Sequence, residues 1–170
     1  MTRQDWLYKW FSYGLALIPV WWLDAYVLSR FPVLGVTALL LPVAVAAVGV
    51  LEGASGGAGF GLAAGLLWAC AYSGGHGGRV LLLAVMGVLT GVLAQYALAQ
   101  TLLGCVLCSA VALAVIELLE ILPEIFFMRA QLLPLLNIAL PQLIWTLCWV
   151  PMVYALFYRV FVRVGGDRLA

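Results

Sequence analysis

The sequence predicts an all-α, polytopic membrane bundle of about six transmembrane helices. Three observations predict it. Hydrophobic residues make up 66% of the chain and charged residues 9%, against roughly 25% charged in soluble domains, and the mean hydropathy is +1.16. The few charges punctuate long apolar runs, each near the roughly 20 residues that a helix needs to cross a bilayer. From Gly53 to Ser73 small residues recur at every fourth position: Gly53, Gly57, Gly61, Gly65, Ala69, Ser73. Residues four apart stack on one helical face. In water each interior glycine costs roughly 1 kcal/mol against alanine, but in lipid such a face lets another backbone approach closely. Strands alternating over about 10 residues, the mark of a membrane β-barrel, are absent. The spans use up the 170 residues, so residues 1–170 read as a single integral membrane domain. A net charge of +1 implies no nucleic-acid partner.

The first span runs roughly from Trp10 to Leu28 and stops at Ser29–Arg30, with Pro32 beyond it, where a proline suits a helix stop. Its basic, aromatic lead lacks a small-x-small cleavage site before Asp24, so it is expected to be retained. The second span covers Leu34 to Leu51, with a kink expected at Pro42, and Glu52 closes it. The third is the glycine ladder, Gly57 to Tyr72. Ser73–Arg79 is a glycine-rich turn. The fourth span starts near Arg79 and carries Gly87 and Gly91, a second G-x-x-x-G. Close crossings between such faces make the third and fourth spans expected neighbours. No charge occurs between Val80 and Ile116, and the mildly polar Gln95–Thr101 is the only plausible turn there. The fifth span then covers Thr101 to Ile121. Pro141 suits the first turn of a helix, so the sixth span is placed from there to Phe161. That leaves Ala130 to Leu140 as a lipid-skimming or re-entrant piece.

Six spans put both termini on one side, with Arg3, Lys9, Arg159, Arg163 and Arg168. Arg30, Arg79 and Arg129 fall on the other. The heavier side reads as cytoplasmic.

Few residues could carry chemistry. Asp24 is an acid within the first apolar segment, a costly placement. It reads either as an interfacial residue near Arg30 or as a packing and partner-docking group. Glu117, Glu120 and Glu124 share one helical face at the end of the fifth span. They read as a wet stripe, an acidic docking edge, or the acids of a small intramembrane enzyme. Cys105 and Cys108 spell C-x-x-C but lie in mid-span and read as small packing residues. His76 is the single histidine, so neither a Ser–His–Asp set nor a zinc site can be assembled around it. Asn137 and Gln142 are candidate interhelical hydrogen-bonding groups. No nucleotide-binding loop is present. No catalytic, cofactor or metal residue is expected. The expected helix-packing residues are Gly57, Gly61, Gly65, Gly87 and Gly91, and the candidate docking residues are Asp24, Glu117, Glu120 and Glu124.

The chain resembles the rod shape-determining MreD family. The likeness runs through Phe31-Pro32-Val33-Leu34-Gly35, Leu39-Leu40-Leu41-Pro42, the stretch LEGASGGAGFGLAAGLLW with Gly59-Phe60 and Gly65-Leu66-Leu67, and LLLAVMGVLTGVL with Gly87. One departure is Ala69, where the family usually has an acid. The resemblance implies a non-enzymatic scaffold subunit of the peptidoglycan elongation machinery in the bacterial inner membrane. Its implied partners are the bitopic protein MreC and, through it, MreB, a SEDS-type glycosyltransferase and a class B penicillin-binding protein. It also implies a fold similar to the S-components of energy-coupling-factor vitamin transporters. The alternative function is such an S-component. Those subunits commonly carry A-x-x-x-A in the first span, which reads YGLALIPVWWLDAY here, without it.

Overall fold

The computed structural model describes residues 3–30, 32, 35–71, 77–96, 101–128 and 132–165. Among them the structure is all-helical but for a few connecting residues. Helix α1 (Arg3–Trp22) continues through a π turn (Leu23–Val27) and a 3-10 turn (Leu28–Arg30). It is followed by α2 (Leu40–Ala71), α3 (Gly77–Tyr96), α4 (Leu102–Met128) and α5 (Leu132–Gly165). Each contains a stretch long and apolar enough to cross a membrane: Trp6–Arg30, Leu40–Cys70, Gly78–Tyr96, Leu102–Leu119 and Asn137–Val164. The protein is therefore a multi-pass helical membrane bundle.

Helix α2 is the centre. Leu40, Leu41, Val43, Ala44, Val45, Ala47 and Val48 are fully buried, and the remaining residues to Leu51 nearly so. A helix that is apolar all round has no face to offer water and is buried on every side. Pro42 causes no kink. The helix begins at Leu40, so Pro42 sits in its first turn, where a missing N–H costs nothing. The break comes at Gly53, with φ 82° and ψ −174°, a conformation that is essentially glycine's alone.

At that break the chain folds back on itself. A Cβ placed on Gly57 would lie 2.9 Å from the Gly49 Cα. In a straight helix eight residues separate those positions by about 12 Å. The first arm of α2 (40–52) and the second arm (54–71) thus lie side by side. The expected second and third spans fall on these two arms, which together form one of the five stretches long and apolar enough to cross a membrane.

Helix α3 runs antiparallel to the second arm. Gly57 meets Gly87, Gly61 meets Leu83 and Ala84, and Gly65 meets Val80. Gly91 lies over Gly53 and Ala54. Of the expected turn at Gln95–Thr101, Gln95 and Tyr96 still belong to α3, and residues 97–100 lie outside the described residues. Thr101 caps α4: its hydroxyl accepts the Gly104 N–H at 3.2 Å and its carbonyl the Cys105 N–H at 3.0 Å. A threonine at this position satisfies donors that a helix start leaves open.

One boundary differs more. Residues 132–140 form no separate re-entrant piece, because α5 runs unbroken through Pro141 and Pro151. Membrane helices absorb interior prolines where neighbours re-satisfy the freed carbonyls.

Candidate functional site

Three polar or glycine-built nodes hold the bundle, and all converge on α2. The first is at its N-terminus. Helix starts leave N–H groups without intrahelical partners. Here two side chains from other helices take them. Asp24 Oδ1 accepts the Leu40 N–H at 2.8 Å, and Thr146 Oγ1 accepts the Leu39 N–H at 3.1 Å. The Thr146 hydroxyl in turn donates to the Gln142 carbonyl at 2.7 Å. A carboxylate at this place also suits the positive end of the helix dipole. The π turn of α1 carries Asp24 to the inside, where it is 5% exposed.

The second node is at Glu52, the last residue before the break. Its carboxylate pairs with the Lys9 ammonium and accepts the Tyr13 hydroxyl at 2.7 Å. Tyr13 is fully buried. Its ring stacks on Phe157 at 6.2 Å and 15° and meets Phe60 edge-on at 6.3 Å. One carboxylate thus ties the fold-back of α2 to α1, and the tyrosine beneath it ties both to α5.

The third node is the glycine crossing. Gly49, Gly57 and Gly87 bring three stretches of backbone together, and a Cβ on Gly49 would meet the Gly87 carbonyl oxygen at 2.9 Å. Beside it the Thr90 hydroxyl is 2.9 Å from the Met86 carbonyl and 3.2 Å from that of Gly87. From α4, the Cys108 thiol reaches the Thr90 carbonyl at 4.0 Å. Cys105 lies 3.9 Å from the Ser109 hydroxyl, so both cysteines of the C-x-x-C pair are thiols buried among helices.

Of the expected packing glycines, Gly57, Gly61, Gly65, Gly87 and Gly91 all face backbone across the α2–α3 contact. Of the candidate docking residues, Asp24 is turned inward and engaged within the chain. Glu117 is half-buried on α4 and has an interaction of its own. Glu120 and Glu124 lie further along the same helix, with side chains outside the described residues, as is His76. Arg79 lies over the Trp68 ring at 5.9 Å. Among the described residues no three His, Cys, Asp or Glu side chains group as metal ligands.

Sequence reading overlooked Gly49, Tyr13, Thr146 and the binding role of Glu52. One signal was present for the last. Lys9 and Glu52 are opposite charges at the start of the first span and the end of the second, so an antiparallel pair brings them to one depth. No protein-family model, no curated protein and no solved structure matches the chain.

Proposed function

We infer that the chain is a non-enzymatic membrane scaffold subunit of the rod-shape elongation machinery, of the MreD kind, which binds an MreC-like bitopic protein. One observation carries this over a catalytic or substrate-carrying reading. The polar side chains Asp24, Glu52, Tyr13 and Thr146, buried or nearly so, are spent on joining helix to helix. An enzyme or a carrier holds such groups ready for a substrate. A scaffold uses them to fix the surface that it presents.

The fold-back at Gly53 supports six crossings, an S-component-like bundle and termini on one side; the Lys and Arg bias makes that side cytoplasmic, and the resemblance makes the membrane the bacterial inner one. The first arm is short, about 20 Å at 1.5 Å per residue, and residues 35–39, which are not helical, extend it. The glycine faces are used inside the bundle, which leaves outward faces for an MreC-like helix and, through MreC, for MreB, the SEDS glycosyltransferase and the class B penicillin-binding protein.

The test is co-expression with an MreC-type partner in a bacterial inner membrane, mild solubilisation, and affinity purification on a tag carried by this chain. A stoichiometric complex that survives size exclusion is expected. A folded, monodisperse chain that comes without the partner and with a tightly held small molecule would contradict the scaffold and favour the vitamin-transporter reading.

A further inference from the structure

Arg159 sits within the apolar stretch Asn137–Val164 of α5, short of its end. At 28 residues the stretch is longer than the roughly 20 that a crossing needs, so Arg159 falls toward the headgroup level, where a cation meets anionic lipid. Arg159 has no hydrogen bond or ion pair to another described residue. It is exposed, and so is Arg163, one turn further along the same helical face.

Beneath Arg159 lies a cleft of about 350 Å³ between α1 and α5. Pro19, Val20 and Leu23 wall it on one side, and Met152 and Leu156 on the other. Arg159 is its one charged lining residue. A ligand matched to this arrangement is anionic at one end and hydrocarbon along the rest. A peptide or a polar metabolite would leave its own polar groups unpaired against these walls.

We propose that Arg159 and this cleft bind one anionic phospholipid, with the phosphate on the Arg159 guanidinium and an acyl chain between α1 and α5. Arg163 provides a second cation to the same headgroup. The arginine is thereby neutralised in place, and the lipid fills the seam that α1 and α5 leave open. This site is independent of whether the chain binds an MreC-like partner.

The test uses the full chain in phosphatidylcholine vesicles, with trace phosphatidylglycerol or phosphatidylcholine spin-labelled near the chain end. The motionally restricted fraction is expected to favour phosphatidylglycerol about fivefold, the factor that one basic residue facing an anionic headgroup supplies. Arg159→Gln should remove most of that preference. Arg30→Gln, on the far turn of the α1 segment, should leave it intact. Ala155→Phe narrows the cleft without touching the charge and should displace the held lipid, which keeps the proposal open to refutation if Arg159→Gln fails to fold. Equal retention of the two lipids by the unaltered chain would overturn it. So would a preference that survives both Arg159→Gln and Ala155→Phe, or one that Arg30→Gln abolishes.

Discussion

Replacing Gly57 or Gly87 with leucine is expected to abolish the folded bundle. A first side-chain carbon on Gly57 collides with the Gly87 carbonyl, its carbon 2.8 Å away, and with the Gly49 Cα at 2.9 Å. The same atom on Gly87 collides with the Gly57 carbonyl. All of these neighbours are backbone, so no rotamer change relieves the overlap. The helices must separate, and the one that moves is α2, on which the rest of the core is packed. Ordinary overpacking costs about 1–3 kcal/mol. Here the cost exceeds that range, because the thread of contacts from Gly49 to Gly65 is lost together. Gly61→Leu and Gly65→Leu should follow, since their first carbons meet Leu83 O at 2.5 Å and Val80 Cα at 2.8 Å. Gly14 and Gly59 have nothing within 4 Å of that position, so leucine there should be tolerated. Yield of monodisperse protein after solubilisation, followed by thermal unfolding, separates the two sets.

Glu52→Ala should lower stability by about 3 kcal/mol, the cost of stripping one partner from a mostly buried ion pair. Two groups lose their acceptor at once. Lys9 is left with its side chain 20% exposed, and the Tyr13 hydroxyl is left inside a fully buried ring cluster. Glu52→Gln keeps an acceptor for Tyr13 and loses the charge, so it should fall between. Combining Lys9→Ala with Glu52→Ala should cost less than the sum of the two single changes, since the stranded cation is removed with its partner. Scanning fluorimetry of the four proteins in one detergent reads the coupling directly.

The organisation of the bundle was legible where charge and glycine are local signals. Uncharged runs located the apolar helices, and the polar residues from Gln95 to Thr101 marked where α3 ends and α4 begins. The four-residue spacing of glycines identified the face that α3 packs against. What escaped depends on geometry that no local pattern encodes. Asp24 is near Arg30 in sequence, which suggests an interface, but a π turn rotates it inward to a helix start sixteen residues on. Pro42 signals a kink only if the helix has already begun, and the helix begins at Leu40. Gly53 fits the ladder by spacing, yet its positive φ makes it the fold-back rather than a rung. Ala130–Leu140 was set apart because Pro141 suits a helix start, whereas α5 continues through it from Leu132.

Six crossings place both ends of the chain on one face of the membrane, and five would place them on opposite faces. Whether α2 crosses once or twice therefore decides whether the six-crossing fold proposed here holds. Single cysteines introduced beside Arg3 and Gly165 in a background lacking the four native thiols can be challenged with a membrane-impermeant maleimide, in intact spheroplasts and after lysis. Both should stay unlabelled until lysis, and a cysteine in place of His76 should react in the intact spheroplasts. Labelling of one terminal cysteine from outside with protection of the other would contradict the fold-back at Gly53 as a second crossing, and the reading built on it.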